Sequence, residues 1–340
     1  SAYRKLAAER EGMGIPPLPL TSTQTQALTR LLENPPIGED LFLLDLLKNR
    51  IPPGVDNASY VKVSWLSAIA DKHTHSPLIS PLEATKLLGT MLGGYNVSVL
   101  IELLKNSDED LADCAANGLS KTLLVYDALN EIIDLADTNR FAKKVIQSWA
   151  DAEWFTSKPT LAKEITVTVF KIAGETNTDD LSPATHATTR PDIPLHSLAM
   201  LETRAPDGLA DIAKLKRKGH PIAYVGDVVG TGSSRKSAIN SMLWHIGNDI
   251  PYVPNKRSGG IILGGKIAPI FFNTAEDSGA LPIECDISKL KSGDVITIRP
   301  QKGTIERAKE EDNAGEVLAT FELKPITITD EIRAGGRIPL

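Results

Sequence analysis

The sequence divides into an all-α part followed by an α/β part, and three observations carry that division. Apolar residues recur at helical spacing from Thr21 to about Phe155, with short breakers between the runs. That periodicity stops at Thr156-Ser157-Lys158-Pro159. Beyond it, Ile165 to Ile172 reads Ile-Thr-Val-Thr-Val-Phe-Lys-Ile, a β-branched alternation at strand spacing. The expected boundaries are 1–157 for the helical domain and 158–340 for the α/β domain. A chain of 340 residues exceeds what one ordinary core serves and suits two.

In the first part, Ala58, Val61, Trp65 and Ile69 share one helix face behind the capping candidates Asp56 and Asn57, and Leu111, Cys114 and Gly118 line another. Breaks are expected at Pro35-Pro36, Pro52-Pro53-Gly54, Ser80-Pro81 and Gly93-Gly94. A faint repeat is present. Leu31-Leu32, Gly38 and Leu43 through Lys48-Asn49 resemble Leu87-Leu88, Gly93 and Leu100 through Lys105-Asn106, with a one-residue slip. Stacked helix pairs of the HEAT type would produce it, and so would chance similarity between Leu-rich helices.

In the second part, further strands are expected at 221–225, 260–263, 280–285 and 294–298, with helices between several of them. The βα loops of such a layered domain are where ligands sit.

Composition narrows the function classes. The chain is 41% hydrophobic and 24% charged, the balance of a globular protein with an ample core. No apolar run approaches the roughly 18–20 residues that cross a bilayer, and residues 1–20 lack a signal-peptide pattern, so the chain reads as cytoplasmic. Cys114 and Cys285 are the two cysteines, and neither has metal-ligand spacing. They read as reduced core residues. The net charge of -6 arises in the first part, where residues 1–155 carry 14 Lys/Arg against 20 Asp/Glu while the remainder carries 23 of each. No overall basic footprint for nucleic acid results.

Most of the chemistry lies in Gly230-Thr231-Gly232-Ser233-Ser234-Arg235-Lys236-Ser237, expected to follow a strand and open a helix reaching about His245. Such a loop turns free N–H groups and the positive end of a helix dipole toward an anion. It lacks Walker A spacing, and Gly230 with Gly232 is a weak dinucleotide signal. Arg235 adds a planar fork suited to a carboxylate. A serine here could act as a base only with its alkoxide stabilised by such groups. On local chemistry alone, a helix-capping serine and a solvated arginine fit these residues equally well.

A second polar loop runs Gly174-Glu175-Thr176-Asn177-Thr178-Asp179-Asp180-Leu181-Ser182-Pro183, and it reads equally as a structural turn. Arg190 follows, before Pro191, where an extended backbone is expected. Paired with Arg235 it would offer two guanidinium groups to a small polyanion.

Four segments occur together in order: Asn177-Thr178-Asp179-Asp180, Gly232-Ser233-Ser234-Arg235, Ile267-Ala268-Pro269-Ile270-Phe271-Phe272-Asn273 and Gly279-Ala280-Leu281-Pro282-Ile283. This series resembles the swivel domain of the aconitase and isopropylmalate isomerase superfamily. The likeness is nearer to the B branch of the aconitases, in which a HEAT-like domain and then the swivel domain precede the catalytic domains. Ser148-Trp149-Ala150-Asp151-Ala152-Glu153-Trp154-Phe155 and Arg337-Ile338-Pro339-Leu340 resemble that branch too, so the likeness runs from about residue 3 to the end. Lys236-Ser237 stand where the wider superfamily has Glu-His, as in the B branch, which leaves the roles of those two positions open.

The resemblance implies a hydro-lyase of the tricarboxylic acid cycle that interconverts citrate and isocitrate through cis-aconitate, and in the B branch also acts on 2-methylisocitrate. By motif, Ser233 corresponds to the serine that removes the substrate proton, Arg190 and Arg235 to carboxylate-binding residues, and Ser234 to a residue lining the same site. The family's [4Fe-4S] cluster takes three cysteine ligands, so with two cysteines this chain is expected to bind no metal and to be inactive alone. The cluster is expected in catalytic domains beyond Leu340. Expected partners are a tricarboxylate, those domains, a second copy through the helical domain, and mRNA, which the resemblance associates with iron loss; no membrane is expected. The alternative is an interaction module without catalysis. A free-standing small subunit like that of isopropylmalate isomerase fits less well, given the helical domain and Lys236-Ser237.

Overall fold

The computed structural model describes residues 2–308 and 315–340. Two compact units are present, one formed by 17–158 with 251–254, the other by the chain up to Pro16 together with 159–250 and 255–340. Sequence reading places the first sixteen residues with the helices. They cluster instead with the α/β unit, because helix α1 (Ala2–Glu11) carries Arg10 onto Asp192. The Arg10 guanidinium donates to both carboxylate oxygens, at 2.6 and 2.9 Å, and through Nε to the Pro16 carbonyl at 2.6 Å. Arg10 is 4% exposed, so removing either partner strands a buried charge.

The helical unit contains α2 (Ser22–Glu33), α3 (Asp40–Asn49), α4 (Asn57–Ala70), α5 (Pro81–Leu88), α6 (Tyr95–Leu103), α7 (Glu109–Leu119), α8 (Ala128–Ala136), α9 (Arg140–Ala150) and the single turn α10 (Glu153–Thr156). Short side chains start most of them. Thr21 and Gln24 form a reciprocal capping box, and Asp56 accepts from the Ala58 N–H, Ser80 from Glu83, and Asn139 from Phe141 and Ala142. The Pro-Pro and Gly-Gly breakers fall between helices, as the sequence indicates. Helices α2, α4, α5, α7 and α9 pack in succession, while α6 contacts α4, α5, α7 and α8. Leu32, Leu47, Leu66, Leu88, Leu100 and Leu119 are fully buried among them. One charge is buried too: Lys62, in the middle of α4, is 2% exposed, and desolvation pushes its ammonium down to about 8.

The α/β unit is built on a seven-stranded sheet ordered β6-β5-β2-β1-β7-β8-β9. Its strands are β1 (Ile165–Asn177), β2 (Ile222–Thr231), β5 (Ile261–Ile267), β6 (Leu281–Glu284), β7 (Val295–Arg299), β8 (Thr304–Arg307) and β9 (Val317–Thr320). A separate short ladder joins β3 (Asn248–Asp249) to β4 (Arg257–Ser258). Strands β1, β2, β5 and β6 are parallel neighbours, while β7, β8 and β9 add antiparallel. Strand alternation sends Val167, Val169, Ala223 and Val225 into one core and Phe170, Ile222 and Tyr224 into the other. The second core takes its helical side from α14 (Arg235–Ile246) and α15 (Pro269–Asp277), with Ile239, Met242 and Phe271, and from α13 (Gly208–Lys216), with Ile212. The first core includes Ile328 of α16 (Ile328–Ala334). Residues between β1 and α13 form the turn α11 (Thr178–Leu181), a 3-10 helix (Ala184–Thr189) and α12 (Ile193–Ser197).

Candidate functional site

The candidate site lies at the carboxyl ends of β1 and β2, where Asn177 is paired with Thr231, the usual ligand position in an open α/β sheet. Strand β1 runs five residues past the Ile172 expected from sequence, with a register shift after Ile172. Gly174 N–H donates to Asp227 at 2.5 Å, and Thr231 Oγ1 donates to Glu175, which ties the two strand ends together. Asn177, Thr178 and Asp180 are then occupied by structure. The Asn177 side chain accepts from the N–H groups of Asp179 and Asp180, and Asp180 accepts from that of Asn177. Thr178, 1% exposed, accepts from the Ser234 N–H at 3.2 Å.

That last bond fixes the second loop against the first. Gly232 has φ +103°, and a Cβ there would sit 2.5 Å from Thr178 Oγ1. Gly230, with φ +82°, lies over the Phe271 ring so closely that no side chain fits. The chain then enters α14, whose N-cap Ser234 makes no side-chain capping bond. The capping role that local chemistry allows is therefore not taken up by Ser234. Its hydroxyl accepts instead from Arg190 Nη2 at 3.2 Å. Ser233 is exposed, and its hydroxyl makes no hydrogen bond among the described residues.

Arg190 has helical backbone angles, φ −52° and ψ −35°, which corrects the extended conformation expected before Pro191. Its N–H reaches the Ala187 carbonyl, so the 3-10 helix continues through it and overrides the pre-proline preference. The guanidinium, half-buried, also lies 3.5 Å from the Ser182 carbonyl, while its buried Nε has no partner among the described residues. Arg235, half-buried, places Nη1 3.5 Å from the Ser233 carbonyl. One guanidinium group is thus bonded to Ser234 and a second lies beside the Ser233 carbonyl, at a helix N-terminus without a side-chain cap. A carboxylate would find charge, forked donors and N–H groups together there.

Behind this loop is a residue that sequence reading missed. His196, 2% exposed on α12, contacts Thr189 Oγ1 through Nδ1 at 2.9 Å and Ser182 Oγ through Nε2 at 2.7 Å. Ser182 donates to Ser237, which donates to the Ser234 carbonyl. Burial, then the Arg190 charge, lowers the His196 pKa. No short motif marks this residue, because its partners are scattered over 182–237.

The chain's own residues do not fit an iron-sulfur cluster. Its two thiols, both free, lie in different units, half-buried Cys114 in the helical one and buried Cys285 in the α/β one. Burial raises both, Cys285 to about 12, which disfavours the thiolate a cluster needs. Among the described residues no group of three or more His, Cys, Asp or Glu could hold a metal ion, and no helix is long and apolar enough to cross a membrane.

Residues 2–155 match the family described as aconitate B N-terminal domain, and residues 167–340 match that described as aconitate hydratase 2 N-terminus. The chain is 65% identical over 339 residues to aconitate hydratase B of Synechocystis, covering 100% of this chain and 38% of that protein. It is 59% and 58% identical to the aconitate hydratase B proteins of Salmonella typhimurium and Escherichia coli, in each case covering 99% of this chain and 40% of the relative. The chain thus spans about two-fifths of the length of these relatives. Likeness to a solved structure is weak: 3-isopropylmalate dehydratase from Methanocaldococcus jannaschii aligns over 52% of this chain and 92% of that one, at 18% identity and a TM-score of 0.34.

Proposed function

The chain belongs to the aconitate hydratase B family, and from that premise we propose that it supplies the carboxylate-binding and proton-abstracting side of a hydro-lyase site that interconverts citrate and isocitrate through cis-aconitate. Dehydration of 2-methylisocitrate belongs to the same proposal. Residues 1–157 supply a HEAT-like domain, apart from the first sixteen, which join residues 158–340 in the swivel domain. The observation that carries the reading is Arg190 bonded to Ser234 and Arg235 beside the Ser233 carbonyl, at a helix N-terminus with no side-chain cap.

Each residue then has a task. Arg190 and Arg235 hold substrate carboxylates, and Ser234, already in contact with Arg190, lies at the same site. Ser233, whose hydroxyl is free of other bonds among the described residues, takes the proton from the carbon beside a carboxylate. The nearby guanidinium charges and N–H groups stabilise both its alkoxide and the charge that develops on that carboxylate. A [4Fe-4S] cluster held elsewhere in the full-length enzyme completes the site, and no step here depends on a ligand from this chain.

The helical domain exposes Tyr126, and Leu129 and Ile133 of α8 stand four residues apart on its surface, which suits association with a second copy in a cytoplasmic homodimer. The acid excess of residues 1–155 weighs against an mRNA-binding role for that domain. Calorimetric titration of the chain with tricarballylate tests the site. Binding is expected, weakened by about 2 kcal/mol in Arg190→Ala through loss of a charged hydrogen bond. Absence of binding, or binding indifferent to Arg190 and Arg235, would remove the site.

A further inference from the structure

The hydrogen-bond chain behind the serine loop has five contacts: Thr189 Oγ1 to the His186 carbonyl, Thr189 to His196 Nδ1, His196 Nε2 to Ser182, Ser182 to Ser237, and Ser237 to the Ser234 carbonyl. Each contact needs one hydrogen. Thr189, Ser182 and Ser237 each bring one, and all three are used in donating to the His186 carbonyl, to Ser237 and to the Ser234 carbonyl. Both imidazole nitrogens must then donate, to Thr189 Oγ1 and to Ser182 Oγ. Neutral His196 has a hydrogen on one nitrogen alone and leaves one contact empty; the imidazolium fills all five.

Charge opposes that completion while the site holds no anion. Burial first, then Arg190, disfavours the imidazolium; the His186 carbonyl favours it, and the His186 side chain adds a smaller repulsion. Other titratable groups on the surrounding elements, the exposed Asp179 apart, are engaged elsewhere or have like sign. Asp192, at the start of α12, is held by Arg10, and Asp180 of α11 is closed in its capping box; Asp179 is the other carboxylate of that turn. On α14, Arg235 and Lys236 are cationic, and His245 is bonded to the Ser197 carbonyl. Outside this group, His186 faces Glu202. A carboxylate docked on Arg190 offsets that repulsion, so that burial and the weaker His186 charge are left to oppose the hydrogen that completes the chain.

From this we infer that tricarboxylate docking at Arg190 and protonation of His196 are coupled, the added proton completing the hydrogen-bond chain that positions the Ser234 carbonyl and the Ser182 carbonyl beside Arg190. His196 is thus a positioning residue. It touches no substrate, and it acts through Ser182 and Ser237 on the loop that does. This gives the Ser237 position a task in a chain that has Lys236-Ser237 after the Ser-Ser-Arg motif. The inference rests on the carboxylate-binding reading of Arg190.

The test is a pH titration of the His196 ring nitrogens by 15N NMR in the histidine-labelled 340-residue chain, with and without saturating tricarballylate, the signals being assigned with His196→Asn. Tricarballylate is expected to raise the proton affinity of His196 roughly tenfold, with the reciprocal rise in affinity for the anion that linkage demands. Thr189→Val removes two contacts and Ser237→Ala removes two others, and in either variant neutral His196 supplies all remaining hydrogens. Both variants should therefore titrate at a lower midpoint than wild type, with and without the anion, because the hydrogen that only the imidazolium supplies is no longer needed, while tricarballylate still binds and still raises the midpoint. A histidine whose charge the chain does not need predicts no such fall. Tricarballylate binding that leaves the wild-type midpoint in place, or a wild-type midpoint retained in both variants, overturns the inference while leaving the binding site intact. A chain that takes up no tricarballylate overturns the site and the coupling together.

Discussion

Replacing Gly232 by alanine perturbs the site loop at its tightest point. At φ +103° the alanine is held where L side chains are strained, a cost of about 1–3 kcal/mol. Its Cβ would approach Thr178 Oγ1 to 2.5 Å, and Thr178 is 1% exposed and accepts from the Ser234 N–H. Relief requires the loop to move and that bond to lengthen, which adds roughly 1–3 kcal/mol of overpacking. The α/β unit should therefore lose about 3–5 kcal/mol, or a fall in its Tm of roughly 8–15 °C for a unit of this size. Thr178→Ala separates the two causes. Alone it costs about 1 kcal/mol through one lost hydrogen bond. Combined with Gly232→Ala it removes the overlap, so the double variant should be more stable than the sum of the singles by about 1–2 kcal/mol. Urea unfolding of the four proteins, followed by tryptophan fluorescence, gives the cycle. An unaltered midpoint in Gly232→Ala, or strict additivity in the double variant, would refute the contact as the source of the loop's shape.

In the full-length enzyme, Arg235→Lys keeps the charge but loses the planar fork, so substrate affinity should fall by roughly 2–3 kcal/mol with a smaller fall in kcat, read from steady-state kinetics. Lys62 carries a depressed folded pKa, so the unfolded chain holds its proton over a range where the folded chain does not. Its destabilising effect, about 3 kcal/mol at neutral pH, should fade as pH climbs from about 8 to 10.5. Lys62→Met should be more stable than wild type at pH 7, and that advantage should shrink across the same range in urea titrations. Glu276 behaves oppositely. Burial first, then Glu331, pushes its carboxyl up to about 7, so its stabilising contribution is fully present below pH 4.5 and is lost as pH rises through 7. Glu276→Gln should pull ahead of wild type by up to about 3 kcal/mol between pH 4.5 and 8, a trend that unfolding midpoints at the two ends would reveal.

What the sequence shows of this fold follows how local each determinant is. Strands β1, β2, β5, β6 and β7 are marked by β-branched or apolar runs that any register would bury. Strands β8 and β9 are four residues each; β8 forms on the edge that β7 offers, and β9 on the edge of β8. The helix breaks are legible because proline and glycine act on their own backbone. The attachment of α1 is not, since it depends on an ion pair spanning 182 residues. At the site, the glycines and Ser233-Ser234-Arg235 announce an anion loop, whereas the helical backbone of Arg190 is set by hydrogen bonds around it. Lys62 and His196 sit in ordinary-looking helical segments, and only tertiary packing shows that one is a buried charge and the other the centre of a hydrogen-bond chain.

The central claim is that this chain contributes the proton-abstracting residue, and Ser233→Ala in the full-length enzyme tests it most directly. The hydroxyl bonds to nothing among the described residues and Ser234, not Ser233, occupies the N-cap, so the substitution should leave Tm unchanged. A base acts in the transition state and contributes little to ground-state binding, so kcat should fall by roughly three orders of magnitude or more with KM nearly constant. A kcat near the wild-type value, with Tm likewise unmoved, would contradict the assignment of Ser233.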